Sequence, residues 1–287
     1  MKTLSYFPHQ AAMNSKPVMG AFIDSAKKHF DIVQDSMDAD VAVIWSCLWA
    51  GRMRANQAVY RHYRNQDRPV IIIEVGALKR NITWKIAVNH ITSDGGLGWS
   101  ENLDQDRPAQ LDIKLGKPKT GERILVCAQH TDSLQLESLG VSYEHWLQAM
   151  INNVYSHIGR PIVLRQHPRC PIDPNQFALV DEFQVPQKIA GTYDDFNFST
   201  DYYGVVNFSS GPGIQAAIAG TPVIVDQKSL AHEVSNHYMA KELKTFDREN
   251  WLIKLCHTEY TVDEIQQGTW YPRLEQWLKI LKKKQTR

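Results

Sequence analysis

The chain has 287 residues, 43% hydrophobic and 22% charged, with 16 Gly and 13 Pro; at about 150 residues per domain this is two domains or one large one, and not a disordered or low-complexity protein. The net charge of +1 points by itself to no polyanionic partner, and Cys47, Cys127, Cys170 and Cys256, without any Cys-x-x-Cys spacing, indicate neither a zinc site nor a disulfide framework. The longest apolar runs, Val41–Trp45 and Val70–Ile73, fall far short of the ~18 residues of a membrane span, and with no apolar signal region the chain reads as a soluble cytoplasmic protein.

In chain order, Thr3–Phe7 reads as a strand, Val18–His29 as a helix, and Phe30–Val33 and Val41–Trp45 as the next two strands. Arg54–Gln66 reads as a helix. Val70–Val75, apolar except for Glu74, has the pattern of a strand buried on both faces. Residues 92–121 break the rhythm with Ser93-Asp94-Gly95-Gly96, Gly98, Pro108, Gly116, Pro118 and Gly121, which is where a domain boundary is expected. A second alternating series follows: strand Arg123–Ala128, helix Tyr143–His157, strands Pro161–Arg165, Ala178–Val180 and Gly204–Phe208, helix Gly213–Ala219 and strand Pro222–Asp226. Leu274, Trp277, Leu278 and Leu281 recur at helical spacing and predict an amphipathic helix that packs back on the first domain. The expected architecture is α/β, two Rossmann-like domains facing a cleft: an acceptor-binding domain over 1–118, a donor-binding domain over 119–265 and a C-terminal helix over 266–287.

Charge is unevenly distributed. Between Arg52 and Lys85 eight basic residues face two acids, a local +6 that leaves −5 for the remainder. At 100° per residue, Arg54, Arg61, Arg64 and Arg68 fall within a sector of about 80°, a guanidinium stripe suited to a duplex backbone. Lys79, Arg80 and Lys85, with the aromatic Trp84, follow in the same half and extend the expected double-stranded DNA contact.

The strongest local signal is the segment from Val205 to Val225. A strand ends in Asn207-Phe208-Ser209-Ser210-Gly211-Pro212-Gly213 and a short Ala-rich helix begins. Free backbone N–H groups and the positive end of the helix dipole at such a terminus favour phosphate. Gly211 and Gly213 would permit close approach of a ligand, and Gly220 fits a helix stop. Leu164-Arg165-Gln166-His167-Pro168-Arg169 delivers two guanidinium groups and an imidazole to another strand end, where Arg captures phosphate bidentately. Gln129, His130, Asp132 and Ser133 follow a third strand, the usual place for ligand contacts in an open sheet.

Two carboxylates qualify as a general base for an acceptor hydroxyl, Asp94 in the Ser-Asp-Gly-Gly loop and Glu74 near the end of its strand. Asp194-Asp195, followed by Phe-Asn-Phe without a further ligand, reads as a solvated loop, and no metal site or cofactor is expected.

These residues carry a resemblance. Gln129 with Asp132 and Ser133, Arg165 with His167 and Pro168, and the turn from Ser209 to Val223 resemble the donor half of GT-B glycosyltransferases, most nearly capsule polysaccharide transferases of the Kdo-transferring type. The likeness spans about residues 122 to 230 and implies a nucleotide-sugar donor with its phosphates at Ser209, Ser210 and Gly211, and Arg165 and His167 neutralising the leaving group. The first half carries no recognised acceptor-domain motif. In size and charge the chain is similar to bacteriophage DNA glycosyltransferases, so the expected acceptor is a hydroxymethylated base, such as hydroxymethylcytosine, extruded from duplex phage DNA in the host cytoplasm. The alternatives are a capsule or lipopolysaccharide glycan acceptor, a non-catalytic DNA- or sugar-nucleotide-binding protein, or a sugar-nucleotide epimerase of similar fold.

Overall fold

The computed structural model describes residues 2–12, 15–95, 102–189, 192–193 and 202–285; Gly96, Gly98 and the Asp194-Asp195 pair lie outside them. The chain forms two compact units, the first comprising Met1–Arg107, Asp132–Gln135 and Lys254–Arg287, the second Pro108–Thr131 and Leu136–Ile253. Residues 108–118 thus fall in the second unit and 254–265 in the first.

The first unit opens with β1 (Lys2–Tyr6), α1 (Lys16–Ala26), β2 (Phe30–Gln34), β3 (Val41–Trp45), α2 (Asn56–Arg64), β4 (Val70–Val75) and β5 (Thr83–Val88). β4, β3, β1 and β2 are neighbours in that order and all parallel, while β5 lies antiparallel on β4. Every residue of β3 is buried, as its uninterrupted apolar run requires of a strand covered on both faces. β5 was not legible as a strand because Lys85 sits in the middle of Thr83-Trp84-Lys85-Ile86-Ala87-Val88, yet all six residues are buried.

The second unit contains α3 (Arg107–Gln110), whose first residue belongs to the first unit, then β6 (Arg123–Cys127), α4 (Tyr143–Ile158), β7 (Ile162–Arg165) and β8 (Glu182–Gln184). A two-stranded antiparallel pair, β9 (Lys188–Ile189) and β10 (Thr192–Tyr193), precedes β11 (Tyr202–Asn207), α5 (Gly211–Ala219), β12 (Val223–Val225) and α6 (Glu249–Cys256), whose last three residues belong to the first unit. The main sheet runs β12-β11-β6-β7-β8, parallel throughout. The strand expected over Ala178–Val180 is instead a turn, and the edge strand is Glu182-Phe183-Gln184, too polar and exposed for an apolar run to mark it. Ser142 caps α4 by accepting from the His145 N–H at 3.1 Å, and Gly159 ends it with φ 64°.

The chain then returns to the first unit as β13 (Glu259–Thr261), α7 (Val262–Gln267) and α8 (Tyr271–Gln285). β13 adds an antiparallel edge to β5, completing a six-stranded sheet. Trp270, fully buried, packs on Phe22 with ring centroids 4.5 Å apart and donates its indole N–H to Ser25 at 3.0 Å. Leu274, Trp277, Leu278 and Leu281 of α8 lie against the same core.

The register of β4, β5 and β13 places Glu74, Lys85 and Glu259 side by side across the sheet. The Glu259 side chain is fully buried and accepts from the Ala77 N–H at 2.7 Å, the Leu78 N–H at 3.1 Å and the Thr83 hydroxyl at 2.6 Å, with the Lys85 ammonium 4.0 Å away. Gly76 is required here, because a Cβ on it would lie 2.2 Å from the Glu259 carboxylate. Removing Glu259 would strand a buried ammonium and three donors. Glu259→Ala is therefore expected to cost about 3–5 kcal/mol in urea unfolding.

A second ion pair ties residue 107 to the returning segment. The Arg107 guanidinium bonds both oxygens of Glu264 and donates to the Glu259 and Cys256 carbonyls at 3.0 and 3.2 Å. Burial pushes the Glu264 carboxyl up, but hydrogen bonds from Arg107 and Thr261 and the Arg107 charge outweigh it, so its pKa is held below the ordinary 4.5. Because the folded-state pKa is depressed, the unfolded chain binds the proton more readily, and the stabilisation is present at neutral pH and lost as the pH falls through the carboxylate range. In Glu264→Gln, unfolding free energy should be lower at pH 7 and should fall less steeply between about pH 5 and 3 than in the unmodified chain.

Candidate functional site

In the second unit the connections run from β6 to β7 to β8 on one side of β6, and then place β11 and β12 on its other side. The carboxyl ends of β6 and β11 therefore flank a topological switch point, the position where open parallel sheets bind ligands. Register brings three strand ends level: Cys127 is opposite both Arg165 of β7 and Asn207 of β11. The residues just beyond them, Gln129 and His130, Gln166 and His167, Ser209 and Ser210, form one polar rim within this unit.

That rim is tightly organised. The Gln129 N–H donates to the Tyr143 hydroxyl at 2.7 Å, and the Gln129 side-chain oxygen accepts the Ser209 N–H at 3.3 Å, joining the end of β6 to the turn after β11. Burial raises the Tyr143 phenol well above its ordinary value, so it stays protonated as a neutral linker. Arg165 is 9% exposed, and the His130 and His167 rings meet edge to face at 5.2 Å. The Arg169 N–H donates to His167 Nδ1 at 3.1 Å, while the Arg169 residue itself is exposed. Burial pushes the Cys127 thiol up to about 12 despite the neighbouring Arg165 charge, which leaves it an inert packing group.

Helix α5 starts at Gly211, two residues before the expected position, with Ser210 in N-cap backbone geometry but no side-chain cap. Gly220 closes it with φ 95°, as the sequence predicts of a helix stop. Its carboxyl end is covered by Arg248, whose guanidinium donates to the Ala217 carbonyl at 2.7 Å and the Gly116 carbonyl at 2.9 Å. Gly213 serves packing more than ligand approach, since a Cβ there would lie 2.8 Å from Val225. Ser209 and Asn207 are buried, and neither the Ser209 hydroxyl nor Asn207 Oδ1 has a hydrogen-bonding partner among the described residues.

Other predicted residues lie elsewhere. Asp132 and Ser133 belong to the first unit, where the Asp132 carbonyl accepts the Trp49 N–H at 2.8 Å and Ser133 bridges to Leu48. The Glu74 carboxylate accepts the Ser46 hydroxyl at 2.6 Å and the Val75 N–H at 2.9 Å. Ser46 holds the left-handed region, φ 65°, to make that bond at the end of β3. Asp94 is exposed on a 3₁₀ turn whose Gly95 crosses the His90 carbonyl too closely for any Cβ.

The expected guanidinium stripe breaks up. Arg54 precedes α2 in a 3₁₀ turn and Arg68 follows its end. Arg68 bonds the Ala39 and Met37 carbonyls at 2.6 and 2.8 Å and lies over the Tyr63 ring, and Arg64 donates to the Arg68 carbonyl at 3.0 Å. Lys85 is buried on Glu259, out of reach of any phosphate backbone. Arg54, Arg61 and Arg80 are exposed and Lys79 half-buried. Asn207, Tyr143 and Arg248 are the site residues that sequence reasoning missed; of these only Asn207 carried a signal, as the polar residue ending an apolar strand.

Among the described residues no three His, Cys, Asp or Glu side chains converge in a way that would hold a metal ion, and no helix is long and apolar enough to cross a membrane.

Two parallel-rich α/β units, each with helices against its sheet, define a two-domain α/β fold. No family model and no curated protein sequence matches the chain. Among solved structures it is similar to the β-Kdo 2,7 transferase of Thermosulfurimonas dismutans KpsC, at 12% identity and TM-score 0.54, covering 93% of this chain and 97% of that one. The β-Kdo 2,4 transferase of the same KpsC matches over the same shares, at 12% identity and TM-score 0.50. This likeness is one of fold, and it falls on the type of enzyme that the donor-half motifs resemble.

The linker from Tyr143 gives the rim a direct test. Tyr143→Phe leaves the buried Gln129 N–H without its acceptor and should cost about 1–3 kcal/mol in chemical denaturation, with the phenyl ring preserving the packing.

Proposed function

We propose that the chain is a glycosyltransferase that takes a nucleotide-sugar donor at the carboxyl ends of β6, β7 and β11. The observation that carries this reading is the meeting of Arg165, His167 and the uncapped start of α5 on level strand ends at the switch point. A nucleoside diphosphate or nucleoside monophosphate leaving group gains negative charge as the bond between its phosphate oxygen and the anomeric carbon breaks. Fixed N–H dipoles and a guanidinium group stabilise that charge without reorganising, and loss of one such group commonly costs about 3 kcal/mol of barrier. In this proposal those groups, rather than a metal ion, neutralise the departing phosphate. Gln129, His130, Arg169, Ser209, Ser210 and Gly211 complete the donor site.

The acceptor we infer is a glycan of the capsule type. Two arguments favour it over a hydroxymethylated DNA base: Arg68 and Lys85 are engaged within the first unit, and the similar folds belong to proteins named as Kdo transferases. A nucleotide-activated Kdo is accordingly the first donor to try.

The test is mass-spectrometric detection of sugar transfer from a panel of nucleotide sugars to capsule-type oligosaccharides and, in parallel, to hydroxymethylated duplex DNA. Transfer to the oligosaccharide is expected, with Arg165→Ala lowering turnover about a hundredfold while the far- and near-ultraviolet circular dichroism stay unchanged. Modified DNA would reverse the acceptor assignment, and near-normal turnover in the folded Arg165→Ala chain would remove that residue from the mechanism.

A further inference from the structure

A buried asparagine at the end of an apolar strand is costly, and a valine or leucine would fill the place more cheaply. Asn207 is fully buried, its Nδ2 donates to the Cys127 carbonyl at 3.2 Å and to the Ser210 hydroxyl oxygen at 2.9 Å, and its Oδ1 has no partner among the described residues. The bond to Ser210 has a further effect on α5. Ser210 stands at the N-cap with φ −86° and ψ 176°, the backbone geometry from which serine ordinarily accepts a hydrogen bond from the first helical turn. Pro212 has no N–H, so the acceptor's natural partner is the Gly213 amide. Ser210 makes no such bond.

We propose that Asn207 is a positioning residue: by holding the Ser210 hydroxyl toward β11, it keeps the first turn of α5 uncapped and its amides available to a phosphate. The inference rests on the donor-site reading and adds a device to it. The hydrogen-bond arithmetic closes. Nδ2 gives one proton to the Cys127 carbonyl and one to Ser210 Oγ, so the Ser210 O–H proton remains able to point outward to a phosphoryl oxygen. The Gly211 and Gly213 amides, having no acceptor four residues back within the helix, supply two further donors. The second sign of a ligand is Ser209, 6% exposed, whose hydroxyl sits just before the helix without a partner among the described residues. The opposite end of α5 is closed by Arg248 and Gly220, so only the amino end is left for an anion.

The experiment compares the full chain with Asn207→Ala, with Asn207→Val as an apolar filler in case the alanine variant fails to fold, and with Asn207→Ala combined with Ser210→Gly. Amide hydrogen exchange at Gly213 is followed by NMR, and binding of inorganic pyrophosphate and of a nucleoside diphosphate by calorimetry. In the unmodified chain the Gly213 amide should exchange rapidly and become protected when pyrophosphate is added. In the Asn207 single variants Ser210 should turn to cap the helix, protecting Gly213 without ligand and weakening pyrophosphate about fivefold to tenfold. Adding Ser210→Gly should return Gly213 to rapid exchange and recover part of the affinity. Equal Gly213 exchange in all chains, or unchanged pyrophosphate affinity in the single variants, overturns the inference while leaving the donor site standing. Failure of the unmodified chain to bind either probe overturns the donor reading instead, and the Gly213 exchange then still decides whether Asn207 withholds the cap.

Discussion

In the second unit, the register of three parallel strands governs what the sheet can present to a ligand. Because β7, β6 and β11 end opposite one another at Arg165, Cys127 and Asn207, the residues that follow them cannot disperse; they emerge at one height along one edge. A slip of one residue in β11 would turn Asn207 to the other face of the sheet and break its bond to the Cys127 carbonyl. The alternation of sheet faces thus sets the chemistry of the rim before any loop takes its conformation.

Helix α5 translates that register into a field. It is short, Ala-rich and lies close on the sheet, with Gly213 against Val225 and Gly220 against the Lys117 carbonyl. One end is saturated by a guanidinium group and a left-handed glycine, and the other is left with amide donors and a serine hydroxyl turned aside. An arginine at a helix carboxyl end remains charged at any pH the protein meets, so the polarity of this helix is permanent. The first unit shows the opposite solution: there the backbone amides of Ala77 and Leu78 hold a carboxylate of the chain itself, Glu259, and the anion is internal.

Much of this arrangement was legible in the residues. The buried runs at Val41–Trp45 and Val70–Val75, the glycine stop at 220 and the three polar strand ends all stand where apolar periodicity and turn chemistry put them. What escaped was decided by partners distant in sequence. Lys85 read as a surface cation because nothing nearby reveals that Glu259 will neutralise it from 174 residues away, and with it β5 was lost. The wheel that aligned Arg54 with Arg68 assumed one continuous helix, whereas the helix spans only Asn56–Arg64. Arg68 then turns back to close the carbonyls of the Met37–Ala39 loop. Asp132 and Ser133 looked continuous with Gln129, yet the backbone takes them into the first unit through Trp49 and Leu48.

The return of the chain after Ile253 also orders events in time. The second unit is nearly contiguous, while the first needs β13, α7 and Trp270 to finish its sheet and core. During synthesis from the amino end, β5 emerges as an unprotected edge carrying a buried-type lysine without its Glu259 partner, and it stays so until about 170 further residues have left the ribosome, some ten to thirty seconds at ordinary translation speeds. The later-made unit can therefore mature before the earlier-made one, and a ribosome stalled anywhere before Glu259 would hold a half-finished sheet exposed to aggregation and to chaperones.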